Sequence, residues 1–168
     1  MKNNQPILII LIPGFPENEA DTTCLPFAQS LIKEINEDFP FIKIAILSFQ
    51  YPFTKQEYLW HNILVIPFGG KDKGKLARRI LWLRVWRKLK QINDENNILG
   101  LFSFWYGECA FLGNRFGKKF GIKHRCWILG QDAGGHNKYV QKINTKSEEL
   151  IAVSDFVADE FFRNYLIR

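Results

Sequence analysis

The alternation of apolar runs with a helical segment between residues 98 and 139 constrains the fold more than any other feature. Residues 98–102 and 126–129 are short apolar runs, and each is followed by aromatic, glycine and polar residues. Residues 107–121, which separate them, predict a helix of about four turns at roughly 3.6 residues per turn. The order strand, loop, helix, strand, loop is typical of parallel strands joined by a crossover helix.

The rest of the chain repeats this alternation. The aliphatic run at residues 7–12 stops at Pro13 and Gly14, as expected of a strand that is buried on both faces. Further strands are predicted at residues 42–49, 62–67 and 149–153, and further helices from Asp21 or Thr22 to residue 38, over residues 71–91, and from the N-cap Ser154 to residue 165. We predict no regular element for residues 50–61. The sequence therefore predicts one α/β domain over residues 1–168, with a doubly wound, mostly parallel sheet of about six strands and helices on both faces.

Polar and aromatic side chains follow two of these predicted strands. The loops at the carboxyl ends of parallel strands form the ligand crevice of an open sheet, so these side chains should share one rim. The candidates from the two loops are Ser103, Trp105, Tyr106, Gln131, Asp132, His136 and Asn137. A carboxylate, amides, an imidazole and exposed backbone N–H groups suit the recognition of sugar hydroxyls by directional hydrogen bonds.

Simpler roles remain open for the same residues. Asp132 is equally expected as a helix cap or turn residue, and for His136 the role of an ordinary surface histidine is the more expected one. Trp105 and Tyr106 could stack on a ligand ring or close the end of a core.

The chain lacks the signatures of several enzyme classes. Gly14 is followed by Phe15 and Pro16, which is not the glycine pattern of a dinucleotide site. Ser103 lies between two phenylalanines rather than in the Gly-x-Ser-x-Gly turn of a hydrolase. The three cysteines are far apart, and no histidine lies at metal-ligand spacing from them. We therefore expect no metal and no cofactor, and a cytoplasmic protein.

The segment Lys71 to Lys90 is the most basic part of a chain whose net charge is +6. The same segment predicts a helix with an apolar stripe made of Leu81, Val85, Leu89 and Ile92. In the simpler interpretation, the stripe packs on the sheet and the basic face is solvated. In the other, the basic face and two tryptophans, Trp82 and Trp86, rest on an anionic membrane or bind a phosphorylated partner.

Four motifs lie at the ends of the first, fourth, fifth and sixth predicted strands. They are Pro-Gly-Phe-Pro at residues 13–16, Phe-Ser-Phe-Trp-Tyr-Gly at 102–107, Trp-Ile-Leu-Gly-Gln-Asp-Ala at 127–133 and Ile-Ala-Val-Ser-Asp-Phe-Val-Ala at 151–158. In this order and spacing they resemble the amino-terminal, Rossmann-like half of a GT-B glycosyltransferase of the large family-four (group 1) retaining class. The resemblance covers essentially the whole chain.

The resemblance implies that this chain binds the acceptor, a glycan or lipid-linked molecule. A carboxy-terminal donor-binding half, which is absent, would hold the nucleotide sugar, so the chain alone is expected to be inactive. Asp132 would be the catalytic residue that orients the acceptor hydroxyl, and Gly14 and Phe15 would shape the substrate cleft. Many family members have a histidine at the position of Gly130, and no role is carried over to that glycine.

The leading hypothesis is thus the acceptor-binding half of a glycosyltransferase of glycan biosynthesis that uses a nucleotide sugar and retains anomeric configuration. The alternative is a stand-alone basic module that docks on an anionic membrane or on nucleic acid, of which nucleic acid is the less expected partner. Contact through Lys71 to Lys90 would make the protein peripheral on the inner membrane face.

Overall fold

The structure, a computed structural model, describes residues 3–71 and 74–165, so Asp72 and Lys73 of the basic segment lie outside the described residues. The fold is α/β, with a seven-stranded, mostly parallel sheet flanked by helices, which confirms the predicted class. The chain divides into two compact units, Met1–Leu99 and Gly100–Arg168. No helix among the described residues is long and apolar enough to cross a membrane.

The first unit is built on long central strands. Its elements are β1 (Asn3–Gly14), α1 (Pro26–Asp38), β2 (Lys43–Tyr51), β3 (Tyr58–Trp60), β4 (Ile63–Pro67) and α2 (Lys75–Glu95). The strand order within the unit is β3-β4-β2-β1, in which β1, β2 and β4 are parallel and β3 runs antiparallel to β4. Residues 9–12 of β1 are completely buried, as the continuous aliphatic run predicted.

Two predictions for the first unit were wrong. The first helix begins at Pro26 rather than at Asp21 or Thr22, because Leu25 has a left-handed backbone (φ 52°) that cannot continue a helix. Asp21 instead closes a turn, where its Oδ1 atom accepts the backbone N–H groups of Thr23 and Cys24. The segment predicted to be irregular contains β3, which at three residues is too short to show a period-2 pattern.

The basic helix α2 packs as its apolar stripe predicted. Its four buried residues are Leu81, Val85, Leu89 and Ile92. The helix begins at Lys75, after Gly74, and its side chains opposite the stripe are exposed. Only one side of α2 is therefore packed against other described residues.

The second unit has a parallel sheet of its own elements. Its elements are β5 (Asn96–Phe104, which starts in the first unit), α3 (Glu108–Phe120), β6 (His124–Ile128), α4 (Gly130–Ala133) and, after two 3₁₀ turns, β7 (Leu150–Ala152) and α5 (Asp155–Tyr165). The strands are parallel in the order β5-β6-β7. Ser154 is the N-cap of α5 as predicted, because its Oγ atom accepts the N–H group of Val157 at 3.3 Å.

Candidate functional site

The loops after β5 and β6 start side by side in the second unit. Phe104 pairs with Trp127 in the parallel ladder, and the N–H group of Trp105 donates to the carbonyl of Trp127 at 3.0 Å. β5 ends at Phe104, and β6 ends one residue beyond this pair, at Ile128. The two loops therefore form one rim at the carboxyl ends of the strands, where open α/β sheets bind ligands.

Asp132 joins these two loops. Its Oδ2 atom accepts the N–H group of Leu129 at 2.9 Å, and its carboxylate also accepts the backbone N–H group of Tyr106. The residue is 5 % exposed. Burial raises the pKa of Asp132 to about 6, and the two amide hydrogen bonds limit the increase. These contacts are those of a residue that caps a helical turn, and a role toward an acceptor stays a prediction.

Asn137 and Tyr106 hold the longer loop in place. The Nδ2 atom of Asn137 donates to the carbonyl of Tyr106 at 2.8 Å, and its backbone N–H group donates to the Tyr165 hydroxyl at 2.9 Å. The Tyr106 hydroxyl contacts Thr145 and donates to the Ile143 carbonyl at 3.3 Å. Burial raises the pKa of Tyr106 to about 12, although the hydrogen bond with Thr145 lowers it. Tyr106 thus belongs to the core, and its ring closes the end of that core.

The rim also has candidates at its surface. Gln131 and His136 are exposed, and Trp105 and Asn137 are partly buried. Trp105 adopts a left-handed backbone conformation (φ 63°), which is rare for a residue other than glycine. Such outliers concentrate at functional sites because the surrounding structure must impose them. Trp105 is therefore the rim residue with the most unusual local geometry.

Ser103 lies beneath the rim, paired with a histidine that the sequence did not single out. The Oγ atom of Ser103 is 2.8 Å from the Nε2 atom of His124, and both residues are buried. Burial lowers the pKa of His124 to about 3, and the charges of Arg125 and Lys118 act in the same direction. No acidic side chain among the described residues orients the other ring nitrogen, which has no hydrogen-bond partner there. The pair is a packed polar contact rather than an accessible nucleophile and base.

In the first unit, β1 ends at Gly14, and Phe15 follows it directly. Phe15 is fully buried, packs edge-on against Trp60 at 4.9 Å between ring centroids, and donates its N–H group to the Tyr51 carbonyl at 3.1 Å. A Cβ atom at Gly14 would lie 3.6 Å from the Cβ atom of Tyr51 and 3.9 Å from the Sγ atom of Cys24. A side chain at position 14 would thus make ordinary van der Waals contacts, and the aromatic ring of Phe15 faces the core.

A polar group that sequence reasoning missed lies beside Gly14. The Tyr51 hydroxyl donates to the Oδ2 atom of Asp21 at 3.5 Å. Burial raises the pKa of Asp21, but hydrogen bonds from Thr23 and Cys24 outweigh it and leave that pKa below its ordinary value. Burial and the Asp21 charge raise the pKa of Cys24 to about 11, so this thiol is unreactive at neutral pH. Tyr51 ends β2, and the rule that carboxyl ends of parallel strands share one edge could have identified it.

A groove of about 640 Å³ lies at the opposite end of the first unit. It opens at the amino ends of β1, β2 and β4, with Ile7, Lys43 and Ile63 among its lining residues. An ion pair between Lys88 and Glu57, 2.7 Å between Nζ and Oε1, lies at its wall. The groove is therefore remote from Gly14 and contains none of the predicted site residues.

The described residues offer no metal centre, because no three His, Cys, Asp or Glu side chains among them are grouped to hold an ion. The three cysteines are free thiols. Comparison with protein-family models gives no match, and comparison with curated proteins gives none either.

Proposed function

We propose that this chain is the acceptor-binding half of a nucleotide-sugar-dependent glycosyltransferase that retains anomeric configuration. The observation that carries the proposal is the buried carboxyl of Asp132, which takes amide hydrogen bonds from the loops after β5 and β6. The carboxyl ends of the strands in an open α/β sheet are the usual place for a ligand. The order of motifs along the chain supports the same family of enzymes.

Asp132 is suited to hold an acceptor hydroxyl. A carboxylate has about four lone-pair positions, and the two amide hydrogen bonds leave two of them. With a pKa of about 6, the carboxyl is mostly ionised at neutral pH and would accept a hydrogen bond from the hydroxyl. Because the residue is 5 % exposed, the acceptor would have to approach closely and displace water.

This chain would make the other contacts to the acceptor, and the proposed donor-binding half would take part in the transfer itself. Gln131 and His136, which are exposed, would donate hydrogen bonds to other sugar hydroxyls, and Trp105 would contact an apolar sugar face. The acceptor oxygen would form the new bond to the anomeric carbon of the donor as the bond to the phosphate breaks. The leaving phosphate, held by the donor-binding half, would take the hydroxyl proton.

Exposed apolar residues beyond β7 support a packing partner for the second unit. Val153 follows the strand directly and is 44 % exposed, and Phe156 in the first turn of α5 is 74 % exposed. Apolar side chains that are exposed next to one another on a surface mark sites of protein–protein contact. A donor-binding half that packed on this end of β7 would cover both.

Glycan binding and sugar transfer test the proposal. We expect the purified chain to bind one class of glycan or glycolipid on an array, and the gene product that includes a donor half to transfer sugar from a labelled nucleotide sugar to membrane lipid. Asp132→Ala should weaken acceptor binding by roughly 10- to 100-fold, the usual cost of losing a hydrogen bond to a charged group. Asp159→Ala, which removes an exposed carboxyl of α5, is the matched control and should bind normally.

Circular dichroism of each variant separates loss of binding from loss of folding. Asp132→Asn, which keeps one acceptor oxygen, provides a second variant if the alanine variant unfolds. Binding to no glycan or glycolipid, together with no transfer from any nucleotide sugar, would contradict the proposal.

A further inference from the structure

The side of α2 that faces away from the sheet has an apolar ridge, formed by Leu76, Ile80 and Leu83. These side chains are 73 %, 52 % and 57 % exposed. Their spacing of four and three residues places them on one side of the helix. The buried stripe of α2 lies on the opposite side, so the helix has two apolar faces and only one of them is covered.

Basic side chains border the apolar ridge. Arg79, Arg87 and Lys90 are exposed, and at roughly 100° per residue they lie within about 70° of the centre of the ridge. The acidic residues of α2 are Asp94 and Glu95, both in its last turn, where Asp94 forms an ion pair with Lys90 at 3.9 Å. We call the apolar ridge and these three cations the outer face of α2.

Two other cations of α2, Lys88 and Arg84, contact residues outside the helix. Lys88 pairs with Glu57, and the Arg84 guanidinium donates to the carbonyl of Phe68 at 3.1 Å while its carbon lies 5.5 Å from the centre of the Phe68 ring. Arg79 and Arg87 make no ion pair with a residue that the structure describes. The charges of Arg79 and Arg87 are thus exposed beside the apolar ridge.

We propose that the outer face of α2 docks on an anionic lipid bilayer. Aliphatic side chains flanked by arginine and lysine match the two layers of a membrane surface, because the aliphatic groups enter the acyl boundary while the cations reach the lipid phosphates. From Leu76 to Leu83 the ridge is about 10 Å long at 1.5 Å per residue, so α2 would lie parallel to the membrane plane. The proposal depends on this surface alone and stands whether or not the chain binds an acceptor.

The apolar ridge also favours a membrane over nucleic acid. Phosphate backbones are contacted by arginine, lysine and small polar side chains, which give affinity through charge. On the outer face, three large aliphatic side chains lie among the cations. If the cations bound a nucleic acid, these aliphatic side chains would contact charged phosphates and gain no favourable interaction. A bilayer accommodates both kinds of side chain at once.

Vesicle sedimentation with the complete chain tests the proposal. We expect binding to phosphatidylcholine vesicles that contain about 30 % phosphatidylserine, weak binding to phosphatidylcholine alone, and weaker binding as NaCl is added. Changing Arg79, Arg87 and Lys90 together to Gln should lower affinity on the order of 100-fold, since each basic residue near an anionic surface contributes roughly fivefold. Changing Leu76, Ile80 and Leu83 together to Gln should lower affinity at least tenfold at unchanged net charge.

Matched controls distinguish the outer face from general charge. The triple variant of Arg115, Lys119 and Lys123 to Gln removes the same charge from exposed positions outside α2, and we expect at most a few-fold change. The single variant Leu76→Gln, at the most exposed position of the ridge, serves if a triple variant does not fold by circular dichroism.

Three results would overturn the proposal. The first is an equal loss of vesicle binding in the control variant and in the variant that lacks Arg79, Arg87 and Lys90. That result would mean that the net charge of the protein, and not the outer face, attracts the membrane. The second is unchanged binding when the apolar ridge is made polar. The third is tighter binding to duplex DNA or RNA than to anionic vesicles at the same salt concentration. Because the vesicles contain no sugar, none of these results bears on the proposed transferase function.

Discussion

The Nε2 atom of His124 lies 2.8 Å from the Oγ atom of Ser103, in a buried space between β5, β6 and α3. A Cβ atom at Gly113 of α3 would lie 2.7 Å from the same nitrogen and 2.8 Å from the same oxygen. The polar pair therefore occupies the volume that a side chain at position 113 would need. Close approach of α3 to the two strands depends on this glycine.

Gly113→Ala should destabilise the protein despite the better helix propensity of alanine. Propensity alone would add about 1 kcal/mol to the free energy of unfolding in a helix interior. The clash with His124 and Ser103 should cost more, roughly 1 to 3 kcal/mol, as in other overpacked cores. Urea unfolding monitored by circular dichroism measures the difference. Gly74→Ala is the control, because a Cβ atom there meets nothing within 4 Å, and a stability gain at Gly113 would contradict the packing argument.

His124→Gln should remove an acid-sensitive contribution to stability. The folded state keeps His124 neutral, with a pKa of about 3 against 6.5 for the free side chain. The unfolded chain thus binds more protons below pH 6.5, and stability is lost as the pH falls from there toward 3, by about 1.4 kcal/mol per pH unit. Urea unfolding at pH 7.5 and pH 5 should show a larger loss for the wild type than for the variant. Equal losses would show that the ring is not held neutral.

The contribution of Asp132 to stability should have the opposite pH dependence, and Asp132→Asn should remove it. The folded state holds the carboxyl at a pKa of about 6 against 3.8 in the free side chain, so it binds more protons than the unfolded chain between these values. The stability due to protonated Asp132 is complete below pH 3.8 and is lost as the pH rises through 6, by roughly 2 to 3 kcal/mol in total. The stability advantage of the wild type over the variant should therefore shrink from pH 4 to pH 7.

The same urea experiment with Asp159→Asn provides the control for Asp132, because it removes an exposed carboxyl from the same unit. A wild-type advantage that grows from pH 4 to pH 7 would mean that the amide hydrogen bonds of Leu129 and Tyr106 outweigh burial. In that case the carboxyl would be a strong, permanently ionised cap.

Sequence patterns predicted the elements whose signal comes from many residues. Long apolar patterns predicted β1 and the side of α2 that is buried. The hydroxyl of Ser154, a preferred N-cap group, predicted the start of α5. The α/β class followed from their alternation. Short elements lacked such a signal, and β3 was missed because three residues do not establish a period.

The candidate site was harder to predict because its geometry depends on contacts between distant residues. Tyr51 and Asp21 are separated by 30 residues and meet only because β2 ends beside the loop after β1. The burial of Ser103 and Tyr106 likewise depends on His124 and Thr145, which no local pattern connects to them. Sequence order located the rim, but it could not tell which side chains turn inward from it.

The brevity of β3 and β7 has a consequence for how the protein behaves at high concentration. Each is the outermost strand of its unit and has three residues, so the free row of N–H and C=O groups that it presents is only about 10 Å long. A foreign chain that added to such an edge would gain few ladder hydrogen bonds before reaching a turn. The long, aliphatic β2, whose edge would be a potent template for fibrillar assembly, lies between β4 and β1 and is kept away from that encounter.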